Sequence, residues 1–207
     1  NSDLKEDTKK KEASISYTVT VSKPYKLATY QVDTMPQPIN SAVKKSIDTV
    51  YFKKGVHFNL SDMKAERERI DKKLKNSGYY NFNNEFLIFE ADTNQYADKR
   101  FDLFLRLKKE VPKKAIIPYK ISKMTVYSNY DIQRDSLRKD TLRYHNKNFI
   151  EVENFFKPEK LDPFIQLEEG QLYNSETSRN TARRISSIGV YKFVNIQYEE
   201  KPLHEKD

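Results

Sequence analysis

The chain has no cysteine, no tryptophan and only four glycines, and it contains no long apolar run. The missing cysteine excludes disulfide frameworks, cysteine nucleophiles and thiolate metal sites, but leaves the redox compartment open. No stretch approaches the roughly 18 apolar residues of a membrane-spanning helix. Scarce glycine also argues against a P-loop, a dinucleotide-binding fingerprint or a nucleophile elbow, each of which needs glycines closely spaced. What is plentiful is aromatic and charged. Twelve Phe and 14 Tyr accompany only 37% apolar residues in 207, a balance that fits two modest cores better than one large one. The 38 basic and 30 acidic residues leave a net charge of +8, an excess too diluted to mark a polyanion site by itself.

The four glycines fall in one repeated pattern. Leu74-Lys75-Asn76-Ser77-Gly78-Tyr79-Tyr80-Asn81-Phe82 has a near-copy in Ile185-Ser186-Ser187-Ile188-Gly189-Val190-Tyr191-Lys192-Phe193, and each reads as a helix end, a glycine stop and an aromatic-led strand. Upstream, Gly55-Val56-His57-Phe58-Asn59 matches Gly170-Gln171-Leu172-Tyr173-Asn174, and Pro24-Tyr25-Lys26-Leu27 matches Pro118-Tyr119-Lys120-Ile121. Pro24 precedes Gly55 by 31 residues and Pro118 precedes Gly170 by 52, so the second copy carries 21 extra residues. Gly55, Gly78, Gly170 and Gly189 are therefore expected to be structural turns.

Residues 1–13 mix charges of both signs and read as a flexible leader. Ile15, Tyr17, Val19 and Val21 alternate with polar residues, the period of a half-buried strand. In the first repeat the pattern predicts a strand from the Pro24 tetrad to Val32. A helix over 39–50 follows, with Ile39, Val43 and Ile47 on one face and Pro38 in its first turn. A second helix over 60–77 has a stripe at Met63, Ile70 and Leu74, a cap at Asn59, Asp62 in a capping-box position and a Glu68–Lys72 pair. Strands over 82–89 and 100–107 complete the unit, with Phe82, Phe86 and Ile88 on the helix-facing side. The second repeat predicts a strand over 121–127, a helix over 135–144 and an insertion over 149–163 anchored by Phe155, Phe156 and Phe164. A helix with Ala182, Ile185 and Ile188 on one face and a strand over 193–198 follow, then Pro202 and a charged tail. No counterpart of the last strand of the first repeat is expected.

No catalytic constellation emerges. His57, His145 and His204 are scattered without metal-ligand spacing. Asp92, Asp98 and Asp102 flank one hairpin but lack the glycine and spacing of a calcium loop, so a solvated turn is the better reading. Lys53-Lys54, the lysines from Lys64 to Lys75 and Arg179–Arg184 raise nucleic-acid binding, but Glu66, Glu68 and Asp71 interleave with them as on a solvated helix face. The strands also lack the spacing of an RNA-recognition sheet. A basic face near anionic lipid ranks above nucleic acid.

The order β-α-α-β-β, with G-x-x-[F/Y]-N before a charged second helix and [L/I]-x-x-[S/I]-G-[Y/V]-Y-x-F after it, resembles POTRA domains. These are the periplasmic repeats preceding the barrel in the BamA/TamA family of outer-membrane assembly and translocation proteins of Gram-negative bacteria. The run Glu66-Arg67-Glu68-Arg69-Ile70 with Gly78-Tyr79-Tyr80 is most similar to Bacteroidetes-type members. The resemblance covers 24–108 well and 118–199 with an insertion. It implies an α+β fold of tandem units, each a three-stranded mixed sheet covered by two helices. The boundaries are 14–23 as the closing strand of a preceding unit, 24–112 as a complete unit, and 113–207 as a second unit with an insertion near 145–165 and without its last strand. The spare strand and the missing one reflect either an excerpt of a longer chain or head-to-tail pairing between molecules.

The resemblance also implies a non-enzymatic scaffold, without metal or cofactor, in the periplasm and attached to the outer membrane through a β-barrel C-terminal to this region. Its partners would be unfolded outer-membrane protein clients or accessory assembly proteins, not nucleic acid. Clients would add as strands to an exposed sheet edge, here Asn83, Asn84, Glu85, Phe86, Leu87, Ile88 and Phe89. The runner-up is a docking module for accessory proteins that handles no clients.

Overall fold

A computed structural model describes residues 2–7, 10–47, 51–130, 140–151 and 156–201. The fold is α+β, with two three-stranded mixed sheets, helices against them and a separate hairpin at the start. That hairpin pairs β1 (Ser2–Asp7) with β2 (Glu12–Tyr17), so much of the expected leader is strand. Leu4 and Ile15 lie directly opposite each other in it, and both are exposed.

Unit one follows the pattern read from its repeat. Strand β3 (Lys26–Val32), helix α1 (Ile39–Ser46), helix α2 (Leu60–Lys75), strand β4 (Leu87–Asp92) and strand β5 (Arg100–Leu107) form a sheet of order β3-β5-β4. β5 is central, parallel to β3 and antiparallel to β4. Ile39 and Val43 of α1 and Ile70 and Leu74 of α2 meet Leu87 and Leu105 in one core, the apolar stripes having the 3.6-residue period that brings them to one face. The Asn59 side chain caps α2 by accepting from the Ser61 N–H at 2.9 Å.

The charges of α2 sort differently from their expected places. Glu66 falls on the buried stripe and is only 2% exposed, held by a bidentate pair from Arg69 with both contacts at 2.6 Å. A buried carboxylate needs such a partner, because leaving it unpaired in a core is costly. Glu66 is thus not part of a solvated face. Asp71 and Lys75, at 3.0 Å, form the (i, i+4) pair on this helix.

Unit two reaches the same sheet order by another route. β6 (Thr125–Tyr127) runs parallel to β8 (Lys147–Glu151), and β7 (Asp140–Tyr144) pairs antiparallel with β8, giving the order β6-β8-β7. The short helix α3 (Pro158–Leu161) and then α4 (Ser175–Ser186) come after these strands. The expected helix over 135–144 is therefore corrected at 140–144, which is strand; 131–139 lie outside the described residues. His145 and Asn146, both at positive φ, form the two-residue turn, a geometry that matches the natural strand twist. Only the start of the expected insertion enters the sheet, as the end of β8, which holds the central position. The stretch 193–198 is not in a sheet: Phe193 is 90% exposed, while Ile196 packs on the second core. That core gathers Phe149, Leu161, Ile165 and Leu167, with Phe156 packed against it; Phe155, Pro202 and His204 lie outside the described residues.

Two ion pairs and one histidine contact clamp the hairpin to the loop after α3. Lys147, itself buried, donates to Asp162 at 2.7 Å, and His145 Nδ1 lies 2.9 Å from the same carboxylate. Arg143 donates to Glu169 at 2.6 Å, and that carboxylate also accepts the Met124 N–H at 2.8 Å. Burial alone would raise the Asp162 carboxyl, but the hydrogen bonds and charges of Lys147 and His145 carry it below the usual range. The Arg143 hydrogen bond and the Met124 N–H lower Glu169 likewise.

The units meet where the repeats begin and end. Tyr119 donates its N–H to the Gly78 carbonyl at 2.8 Å. Tyr80 packs against Tyr173 and Tyr198 with ring centroids 4.9 and 5.5 Å away. Asn76, which caps the end of α2, accepts at its carbonyl from the Asn174 side chain at 3.0 Å and at its Oδ1 from the Ser175 hydroxyl at 2.7 Å.

Candidate functional site

The first-sheet edge is built by a turn and a strand, not by one continuous strand. Asn83 accepts the Glu85 N–H at 2.9 Å through its side chain, which turns Asn84–Phe86 into a single 3-10 turn. Of the seven expected edge residues, Asn83, Asn84, Glu85 and Phe86 therefore lie in and before this turn, and Leu87, Ile88 and Phe89 open β4. The turn also changes the facing. Leu87 is fully buried and Phe89 half-buried, while Ile88 is 37% exposed, so Ile88 faces solvent and not the helices.

On its inner side β4 is paired to β5 from Leu87–Leu107 to Asp92–Asp102. The Lys108 N–H donates to the Phe86 carbonyl at 2.9 Å, which makes 86 and 108 a hydrogen-bonded pair. In an antiparallel ladder such pairs alternate. Residues 88, 90 and 92 thus turn their backbone groups toward β5, and Leu87, Phe89 and Ala91 turn theirs outward. No strand among the described residues pairs with that outer side.

Both outward groups of Leu87 are already taken, its N–H by the Asn84 carbonyl. Arg67 of α2 donates from Nη1 to the Leu87 carbonyl at 3.1 Å, while its other Nη lies 3.8 Å from Glu85. The free backbone of the edge is therefore centred on Phe89 and Ala91. Neither Lys nor Pro, two common guards of sheet edges, occurs in the strand. Glu90 is paired across the sheet to Arg106, which also donates to Asp33 at 2.5 Å. The opposite edge is less available, because Gly55 N–H and Val56 C=O bond Leu27 of β3 from outside at 2.7 and 2.8 Å.

The remaining sequence candidates hold structure. Asp92 accepts the Asn94 N–H at 2.9 Å, which lowers its carboxyl, and Arg100 lowers Asp98 from 2.7 Å. Asp102 accepts from the Thr29 hydroxyl at 2.6 Å and the Tyr96 hydroxyl at 3.1 Å. His57 bridges to Lys26, and His145 belongs to the hairpin clamp. Among the described residues no group of three His, Cys, Asp or Glu is arranged to hold a metal, and no helix is long and apolar enough to cross a membrane. Gly55, Gly78, Gly170 and Gly189 all have positive φ, between +83° and +104°. The edge role of Arg67 escaped sequence reasoning, since nothing in an (i, i+20) separation on a charged helix announces a backbone acceptor.

No family model matches the chain, and no curated protein matches it. Among solved structures, it is similar to the BamA POTRA3-5 fragment of Haemophilus influenzae, at 14% identity and a TM-score of 0.48, over 94% of this chain and 63% of that one. It is similar to POTRA1-3 of the periplasmic domain of Omp85 from Anabaena at 12% identity and a TM-score of 0.32, over 94% of this chain and 66% of that one. A third likeness, at 9% identity and a TM-score of 0.24, is to the N-terminal domain of Omp85 from Thermosynechococcus elongatus, over 86% of this chain and 92% of that one. The chain thus spans slightly under two thirds of the first two structures.

Proposed function

We propose that the chain is a periplasmic polypeptide-binding scaffold region of an outer-membrane assembly or translocation factor, acting without catalysis, and that clients add as strands along β4. The observation that carries this reading is the unpaired outer side of β4, where Phe89 and Ala91 present backbone donors and acceptors. Main-chain pairing asks little of client sequence, which suits a module that receives many extended chains. Exposed Ile88 and Glu90 flank the edge on one face, and Phe89 and Leu87 close the other.

Docking of a defined accessory partner is the second reading. It is favoured by Arg67, whose hold on the Leu87 carbonyl shortens the free edge. Titration with extended barrel-strand peptides, followed by backbone amide NMR, separates the two. Client handling predicts that peptides of unrelated sequence shift the amides of Phe89 and Ala91 more than those of Ile88 and Glu90. Unshifted β4 amides with every peptide would remove the client reading.

A further inference from the structure

Helix α2 runs past the free edge of β4 and against its direction. Met63, in the first turn of α2, shares a core with Phe101 and Leu103, and Leu74, in the last turn, shares one with Leu87 and Leu105. Leu103 is the sheet partner of Ala91 and Leu107 that of Leu87, so α2 starts level with Ala91 and ends level with Leu87. Lys64 follows Met63 directly, and Arg67 stands about one turn further on, on the same side of the helix. Because Arg67 reaches the Leu87 carbonyl, that side is the one turned to the edge of β4.

Neither cation is neutralised there. Arg67 donates from Nη1 to the Leu87 carbonyl, and its Nη2 lies 3.8 Å from Glu85, whose side chain is 66% exposed. A closed pair looks different on the same helix, where Arg69 holds Glu66 through two contacts of 2.6 Å. Lys64 is exposed and pairs with no carboxylate among the described residues. Asp71, one turn past Arg67, is committed to Lys75 at 3.0 Å.

A strand added along β4 turns the side chains beside Phe89 and Ala91 toward the helices, whichever way it runs, because paired residues share a face of the sheet. Those two positions are alternate residues of the added strand, about 7 Å apart. Arg67 lies at the Phe89 end of that span and Lys64 at the Ala91 end. On the other face the intervening residue meets Ile88 and Glu90, and Glu90 already has Arg106.

We infer that the β4 edge selects acidic chains: extended clients with carboxylates at alternate positions, i and i+2, on the side that faces α2. One carboxylate pairs with Arg67 in place of Glu85, and the other with Lys64. This selection rests on the reading that clients pair along β4; the backbone admits the strand, and the two cations rank it.

Three peptides test it, in which every second residue is Thr, a good strand former, and the alternate residues are Glu, Gln or Lys. Each is titrated into the protein at low salt while the Phe89 and Ala91 amides and the Arg67 Nε–H are followed by NMR. The Glu peptide should bind roughly three- to tenfold more tightly than the Gln peptide, the scale of two exposed ion pairs, and the Lys peptide more weakly than either. Added salt should erase the difference without abolishing binding of the Gln peptide. Lys64→Glu should reduce the preference several-fold, whereas Lys45→Glu, an equal change of net charge on α1, should leave it unchanged. Equal affinities for the Glu and Gln peptides overturn the acidic selection and leave pairing along β4 standing. A preference that falls as much with Lys45→Glu as with Lys64→Glu does the same, because attraction to a chain of net charge +8 would then account for it. If no peptide shifts the β4 amides, the selection and the pairing both fail.

Discussion

The two sheets have the same order and the same mixture of directions, yet different parts of the chain fill them. In unit one the central strand, β5, arrives last, after both helices. In unit two the central strand, β8, arrives before α3 and α4, as the second arm of a hairpin. A three-stranded sheet thus specifies its central place by hydrogen bonding and a buried side chain, and not by when the strand occurs in the chain. Leu105 fills the place in unit one and Phe149 in unit two, each almost wholly buried. The clamps differ accordingly. Unit one secures its sheet with helix stripes, whereas unit two also ties its hairpin down with Asp162 and Glu169.

The largest test of this comparison is Phe149→Ala. Removing a fully buried ring costs about 3–5 kcal/mol, and amide exchange should accelerate across 140–151 while β5 stays protected. If protection in 140–151 is unchanged, β8 is not the centre of its sheet. Next is the glycine pair. Gly78→Ala should destabilise more than Gly189→Ala in thermal unfolding. Both require a left-handed backbone, at roughly 1–2 kcal/mol, but at Gly78 the new methyl must also displace Pro118. Equal losses would mean that the close approach at the joint contributes nothing.

The hairpin of unit two should respond to pH, as should the exposed turn of unit one that holds the lowered Asp92 and Asp98 carboxyls. The Asp162 and Glu169 carboxyls are lowered by their cationic partners. Their stabilisation is therefore complete above the unfolded carboxylate range, about pH 4, and disappears as pH falls through the lower folded values. Exchange of the β7 and β8 amides should accelerate below that point before exchange in the unit-one core does. The smallest expected effect is Arg67→Ala. A single hydrogen bond, worth about 0.5–1.5 kcal/mol, would be lost, and peptide-induced shifts should extend to the Leu87 carbonyl carbon, which Arg67 covers. If they do not, Arg67 does not limit the edge.

The periodic parts of this fold are legible in the sequence, and the turn-dependent parts less so. Met63, Ile70 and Leu74 lie where the 3.6-residue stripe puts them, because helix geometry depends only on spacing. Glu66 lies on that stripe too, but composition cannot reveal that Arg69, one turn later, makes its burial acceptable. Asp135–Tyr144 has a helical look because its charges dominate. The alternation of Leu142 and Tyr144, followed by Asn146 and then Phe149, is the hairpin signal that those charges mask. The same applies to the candidate edge. One side-chain hydrogen bond from Asn83 reverses the facing of Ile88, and pattern reading has no access to a bond of that kind.

Asn76 caps the end of α2 and, through its carbonyl and side chain, meets the Asn174 cap and the first turn of α4. The negative end of one helix dipole is therefore stitched to the positive end of the next. Folding of either unit completes the helix terminus of the other, which supplies a nearest-neighbour coupling of the kind that makes repeat arrays melt together. A load that strips unit two away also takes the Asn174 donor from the Asn76 carbonyl, while the Lys72, Lys73 and Leu74 carbonyls keep partners inside unit one. Disorder at one unit is thus registered at the other, along a helix whose far face supports the β4 edge.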